Sequence, residues 1–173
     1  GLYKRLPCSN LHLYEPRTRG TIGGEGAAFF LLSDKSSEKN LAELLAIRTI
    51  YKPGSPENLE KKVRLFLAEN NLAITDIDLV ITGKSGDTAH DDIYERLNLT
   101  IFKTINLVNY KHLCGEYPTA SAFALWLAVN IIKHRMVPEV VVEKSVLNTM
   151  PKKILIYNHY QKIYHSLMLV SAI

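Results

Sequence analysis

At 173 residues the chain has room for one domain with a real core and is short for two. Hydrophobic residues make up 47% and charged residues 22%, which excludes a disordered chain, and a net charge of +4 scattered over short pairs such as Lys4-Arg5, Lys61-Lys62 and Lys152-Lys153 argues against nucleic-acid binding. The longest apolar run, "ASAFALWLAVNII", is about a dozen residues and too short to span a bilayer, and two cysteines, Cys8 and Cys114, make neither a disulfide framework nor a metal site, so a cytoplasmic location is expected.

In chain order, the first twenty residues, with Pro7, Pro16 and Gly20, read as irregular, and a start at Gly1 rather than Met suggests a piece of something longer. "TIGGEGAAFFLLSD" reads as a Gly-rich turn leading into a strand buried on both faces. Ser33 to Asn40 is a polar connection. "LAELLAIRTIYK" mixes helical leucine spacing with β-branched residues and is read as a strand, paired as a hairpin with the one before. "SPENLEKKVRLFLAENN" predicts a helix capped by Ser55, with Pro56 in its first turn and Leu59, Val63, Phe66 and Leu67 on one face. "IDLVIT" is a short buried strand, Asp91 to Leu97 a short helix, and "INLVNY" another extended piece. "PTASAFALWLAVNIIKHR" is apolar almost all round, which predicts a helix inside the molecule. Val137 to Val142 is read as extended, and "KKILIYNHY" with "YHSLMLVSAI" as two closing strands joined by a tight polar connection. The expectation is one α/β domain over residues 1–173, a mixed sheet of about five strands with helices on its faces.

The stretch "LVITGKSGDTAHDD" invites sharper readings. A phosphate-binding loop needs a glycine five residues before Gly83, where this chain has Asp78. A metal site at His90, Asp91 and Asp92 is disfavoured because adjacent residues at a helix start point in different directions. On these residues alone the loop is a solvated helix N-terminus.

Four stretches read together resemble the β-ketoacyl synthases, the thiolase-like condensing enzymes of fatty acid and polyketide synthesis. "GTIGGEGAAFFLLSD" is similar to their Gly-Glu-Gly-Ala strand. "LAITDIDLVITGKSGDTAHDD" is similar to the segment holding their first catalytic histidine. "YKHLCGEYPTASAFALWLAVNIIKHRMVPEVV" is similar to their Lys-x-x-x-Gly-His motif and the core helix after it, and "KKILIYNHYQKIYHSLMLVSAI" to their final hairpin. The order and spacing agree over nearly the whole chain.

The resemblance implies the C-terminal half of a duplicated thiolase-type fold, whose other half carries a nucleophilic cysteine that neither Cys8 nor Cys114 matches. It places the two catalytic histidines at Gly83 and Glu116, so neither imidazole is retained. A glycine has no side chain to donate, and a carboxylate would repel a developing enolate. Lys111 matches the family's lysine and Asp91 its acid. The glycine-rich loop lining the acyl pocket falls in the last hairpin, where this chain keeps Asn158 and Tyr160 as candidate substrate-binding residues but no glycine. Glu25 matches a structural turn residue, with a catalytic role as the alternative. No cofactor and no metal is implied. The implied partners are acyl carrier protein or acyl-CoA and a homo- or heterodimeric ketoacyl synthase subunit, with no nucleic acid and no membrane.

Other residues carry two readings each. Cys114 and His112, on a segment read as extended, could form a thiolate-imidazole pair or leave a lone buried cysteine. Lys111 with Glu116 could face substrate or form a structural ion pair. Phe123, Trp126 and Leu127 read as core, with an acyl tunnel as the alternative, and His159 and His165 as surface histidines, with a polar site as the alternative. Three functions remain open. The chain is a non-condensing, chain-length-factor-like subunit, a fragment of an active 3-oxoacyl-carrier-protein synthase whose preceding half supplies the cysteine, or a non-enzymatic dimerisation module.

Overall fold

The computed structural model describes residues 2–5, 8–15, 18–146 and 150–173, so Gly1, Pro7 and Pro16 lie outside the described residues. In chain order the regular elements are β1 (Glu43–Tyr51), α1 (Pro56–Glu69), β2 (Leu79–Thr82), α2 (Asp92–Leu99), β3 (Asn106–Asn109), α3 (Lys111–Cys114), α4 (Ala120–His134), β4 (Val142–Lys144), β5 (Lys153–Tyr160) and β6 (Tyr164–Ser171). The strands form one mixed sheet in the order β1-β6-β5-β2-β3-β4. Strand β2 is central and parallel to both β3 and β5, while the remaining pairs are antiparallel.

Two apolar layers enclose this sheet. Successive side chains of a strand point to opposite faces, so Leu155 and Tyr157 of β5 join the core under α1 and α2, while Ile154 and Ile156 join the core under α4. That double burial explains why "KILIY" and "LVIT" read as unbroken apolar runs. Helix α1 presents Leu59, Val63, Phe66 and Leu67 to the first core, and the Ser55 side chain accepts a hydrogen bond from the Asn58 amide to cap it, with Pro56 in the first turn. The apolar face, cap and proline all fall where the sequence places them.

Four expectations fail. Residues 22–32 do not form a strand. The Gly24 amide donates to the Glu116 carbonyl and the Glu116 amide to the Ile22 carbonyl, and an isolated bridge joins Gly23 to Glu116. Past Gly26 the chain finds no strand to pair with, and Phe29 and Leu31 are 94% and 100% exposed. Among the described residues strand β1 therefore pairs with β6 alone, at the end of the sheet.

Second, α4 is not enclosed. Ala120, Ala124, Leu127, Ala128, Ile131 and Ile132 are buried, but Phe123 is only partly buried and Trp126 is 46% exposed, because the sheet covers one side of the helix. Third, Glu139–Val141 is a 3-10 turn and only Val142–Lys144 is extended, which adds β4 as a sixth strand beside β3. Fourth, residues 111–114 are helical rather than extended. No helix among the described residues is long and apolar enough to cross a membrane.

Burial separates two substitutions that hydrophobicity alone would treat alike. Phe66→Ala, in the α1 core, should lower unfolding free energy by about 3–5 kcal/mol in chemical denaturation, while Leu31→Ser should stay within about 0.5 kcal/mol of the parent. Equal losses would place residues 27–32 inside the fold.

Candidate functional site

The parallel strands β2, β3 and β5 end at one edge of the sheet, and the chain leaves central β2 toward β3 on one side and returns to β5 on the other. Such a switch point opens a crevice outside the carboxyl ends of the strands. A cleft lies there, with a cavity volume of about 30 Å³. Its lining includes Gly83 after β2, Lys111 and Glu116 after β3, His159 and Tyr160 at the end of β5, and His90 from the turn before α2. Gly83, Lys111, Glu116 and the last hairpin, far apart in sequence, therefore share one cleft.

Gly83 is closed to a side chain. A Cβ there would lie 1.9 Å from Asn158 Oδ1 and 2.9 Å from the Tyr94 hydroxyl. Asn158 thus fills the volume into which residue 83 would project, and its Oδ1 is buried without a hydrogen-bond partner. Asn158 sits against Gly83, whereas Tyr160 lines the cleft.

Glu116 is tied to Lys111. The Lys111 ammonium, on a side chain 1% exposed, meets Glu116 Oε2 at 2.5 Å. A buried charge of this kind needs an opposite charge in contact, and Glu116 supplies it. The Glu116 backbone is fixed by a close crossing of chains. Gly115 has φ +74°, and a Cβ on Gly24 would lie 1.9 Å from the Cys114 carbonyl oxygen. Only glycine backbones approach this closely, which gives "GGEG" a physical role other than starting a strand. Glu25 itself is exposed.

Asp91 organises the loop after Gly83. Its carboxylate accepts hydrogen bonds from the Ser85 amide at 3.0 Å, the Gly86 amide at 2.6 Å and the Ser85 hydroxyl at 3.2 Å. Burial outweighs these bonds and pushes its pKa up to about 6. Asp87 accepts hydrogen bonds from the Gly20 and Ala89 amides and from His90 Nδ1 at 2.8 Å. Burial acts to raise its pKa, but those donors hold it below the usual carboxylate range. His90 is thereby oriented by a carboxylate, an arrangement the sequence reading did not single out.

His159 and His165 are buried rather than superficial, at 7% and 2% exposure. They face each other across the β5–β6 pair, and Tyr94 of α2 stacks on the His159 ring at 4.6 Å. His165 is fully bonded, to the Tyr157 hydroxyl at 2.9 Å and the Lys162 carbonyl at 3.0 Å. His159 accepts the Lys162 amide at Nδ1, and the His90 backbone also hydrogen-bonds its ring. Burial, helped by the positive charge of neighbouring His165, Lys111 and His90, lowers its pKa to about 3.

Cys114 and His112 do not pair. His112 is engaged by the Val140 carbonyl at 2.9 Å and the Tyr14 hydroxyl at 3.3 Å, while the Cys114 thiol points to the Gly115 carbonyl. A helical turn also sets residues two apart on different sides. Burial pushes the Cys114 thiol up to about 11, so it is held as the unreactive thiol. No group of His, Cys, Asp and Glu suited to a metal ion occurs among the described residues.

The fold has solved counterparts. A type II PKS acyl-carrier protein in complex with its ketosynthase bound to the hexaketide matches with a TM-score of 0.63 at 14% identity, covering 77% of this chain. The ishigamide ketosynthase/chain length factor matches equally, with a TM-score of 0.63 at 14% identity over 77% of the chain. The fold is thiolase-like and ketosynthase-like. A third structure, the PfaC ketosynthase–chain length factor, has a TM-score of 0.54 at 12% identity over 80% of this chain. This chain spans only 39%, 38% and 14% of the respective ketosynthase-fold chains. No family model matches the sequence, and no curated protein matches it at the significance threshold.

Two predictions follow from this geometry. Gly83→Ala should destabilise by about 1–3 kcal/mol through overpacking, and Asn158→Gly in the same chain should recover much of that loss, a non-additivity read from a double-mutant cycle. Denaturation against pH tests the two buried ionisable groups, which act with opposite sign. His159 has a depressed pKa, so its contribution is full above about 6.5 and is lost as pH falls toward about 3. Asp91 has a raised pKa, so its contribution is present below 3.8 and lost as pH rises through about 6. His159→Gln should therefore flatten the acid limb of stability, and Asp91→Asn should steepen it.

Proposed function

We propose that residues 1–173 are the C-terminal thiolase-like half of a β-ketoacyl-synthase-like subunit of fatty acid or polyketide-type biosynthesis, one that does not condense acyl units by itself. In this reading Gly83 and Glu116 occupy the positions of the family's catalytic histidines, Lys111 and Asp91 keep the lysine and acid, and Asn158 and Tyr160 stand for the acyl-pocket loop. The observation that carries the reading is the state of the two histidine positions. Asn158 fills the space at Gly83, and Glu116 neutralises the buried Lys111. Neither position offers a donor for the charge that develops in condensation, the contribution on which such chemistry most depends. Cys114, half-buried and held as a thiol, is a poor nucleophile.

A chain-length-factor-like role needs a partner, and α4 offers a surface for one. Phe123 and Trp126 lie side by side with ring centroids 5.2 Å apart, and Trp126 is solvent-exposed although the helix is apolar on every side. Contiguous apolar surface of this kind marks an interaction site. The partner in this reading is a ketosynthase subunit, with acyl carrier protein or acyl-CoA delivering the chain. The ketosynthase/chain length factor structures that share the fold support that choice.

Release of carbon dioxide from malonyl thioester in the presence of an acyl thioester tests the proposal. The chain alone should give none above background, and with an active ketosynthase subunit it should form a complex that alters product length. Condensation by the chain without a partner would overturn the reading.

A further inference from the structure

Residues 27–32, "AAFFLL", are apolar throughout and carry no turn or bend. Phe29 and Leu31 alternate with Phe30 and Leu32, so an extended chain here is apolar on both faces, and all four side chains are exposed. A strand of that kind suits a place in a sheet with apolar surface above and below it.

Strand β1 offers such a place. It ends the sheet, and among the described residues it pairs with β6 alone. Past the irregularity between Leu44 and Ala46 its register is regular from Ala46 to Tyr51, a length that matches residues 27–32. Ile47 lies opposite Met168, which packs on the core under α4, so Ile47 and Tyr51 face the α4 side of the sheet. Both are exposed there, and the Tyr51 ring lies 5.3 Å from that of exposed Tyr164. On the opposite side Leu65 of α1 is exposed, one turn before Glu69, which pairs with Arg48 of β1. Residues four apart share a helix face, so Leu65 flanks the same strand. The edge of β1 thus has apolar groups on both sides of the sheet.

The chain's own segment does not reach that edge. Gly23 and Gly24 are joined to Glu116, which shares the cleft with Gly83 at the end of β2. A strand added outside β1 lies four strand spacings from β2, about 19 Å. The three residues from Gly24 to Ala27 span at most about 11 Å. While the glycine crossing holds, residues 27–32 cannot lie along their own β1, whereas the segment of a second copy is free of this tether. We propose that residues 27–32 dock as an added strand on the β1 edge of a second copy, reciprocally, in a closed two-fold dimer. Two docked segments and the surfaces beneath them bury on the order of 1,500 Å² in total, the size of a stable interface. This pairing is independent of the function proposed above.

Sedimentation equilibrium of the full chain at several concentrations tests the pairing. The parent should show a monomer–dimer equilibrium. Leu31→Asp changes a side chain that is fully exposed in the monomer, and Ile47→Asp changes the edge that receives it. Each should weaken dimerisation at least about tenfold and leave the circular dichroism of the dilute monomer unchanged, while Leu99→Asp, an exposed leucine on α2, should dimerise like the parent. Mixed together, the Leu31→Asp and Ile47→Asp chains should form a heterodimer, because the intact segment of one meets the intact edge of the other. Backbone amides of residues 27–32 should gain protection from hydrogen exchange as concentration rises. A parent that stays monomeric would leave the segment to a different protein and overturn the proposal. Growth beyond a dimer, Leu31→Asp dimerising like the parent, two folded variants that do not associate on mixing, or protection independent of concentration would overturn it equally. Leu31→Asp decides the question even if Ile47→Asp does not fold.

Discussion

The contact between Gly83 and Asn158 is the constraint on which the reading of this protein turns. Two parallel strands, β2 and β5, lie side by side, and where β2 ends at Thr82 opposite Tyr157, the next residues, Gly83 after β2 and Asn158 within β5, compete for one small volume. A side chain at position 83 and the Asn158 side chain as placed cannot share it, because a Cβ at 83 would lie 1.9 Å from Asn158 Oδ1, so Asn158 would have to move. The pair is decided in favour of Asn158. That choice is packing, but its consequence is chemical, since the end of the central strand is where a crevice between parallel strands would present its reactive group.

The rest of the cleft follows a common logic, in which each charge is consumed by a neighbour. Lys111 is held by Glu116, Asp91 by the amides of Ser85 and Gly86, and Asp87 by two amides and His90. Buried ion pairs contribute little net stability but are costly to break, about 3–5 kcal/mol for loss of one partner. They fix the loops at the ends of β2 and β3 more than they stabilise the fold. The Gly24–Gly115 crossing completes this arrangement by bringing Glu116 up to Lys111.

Much of the fold was legible because local and global signals agree. In α1 the Ser55 cap, Pro56 and the Leu59–Val63–Phe66–Leu67 face all name the same helix, and the runs at β2 and β5 are apolar because both their faces are buried. What failed depended on partners the sequence does not display. "AAFFLL" has every local mark of a strand, yet a strand requires an edge to pair with, and the preceding glycines direct the backbone to the Cys114–Glu116 loop instead. Helix α4 is apolar all round, so its pattern could not say that only one side is covered. The site was legible in part. The Gly83, Lys111 and Glu116 stretches were readable as motifs, but the burial of His159 depends on Tyr94, contributed from another element sixty-five residues away. The Asp87–His90 pair was overlooked because the loop read as a solvated helix start, although an acid three residues before a histidine is a usable signal.

The most direct measurement is the proximity of the two residues that share the corner between β2 and β5. In an isotope-edited nuclear Overhauser experiment, the α-protons of Gly83 should show strong cross-peaks to the side-chain protons of Asn158 and weaker ones to the Tyr94 ring. If Gly83 shows no cross-peak to Asn158, the volume at the end of the central strand is open, and the closed-cleft account is wrong.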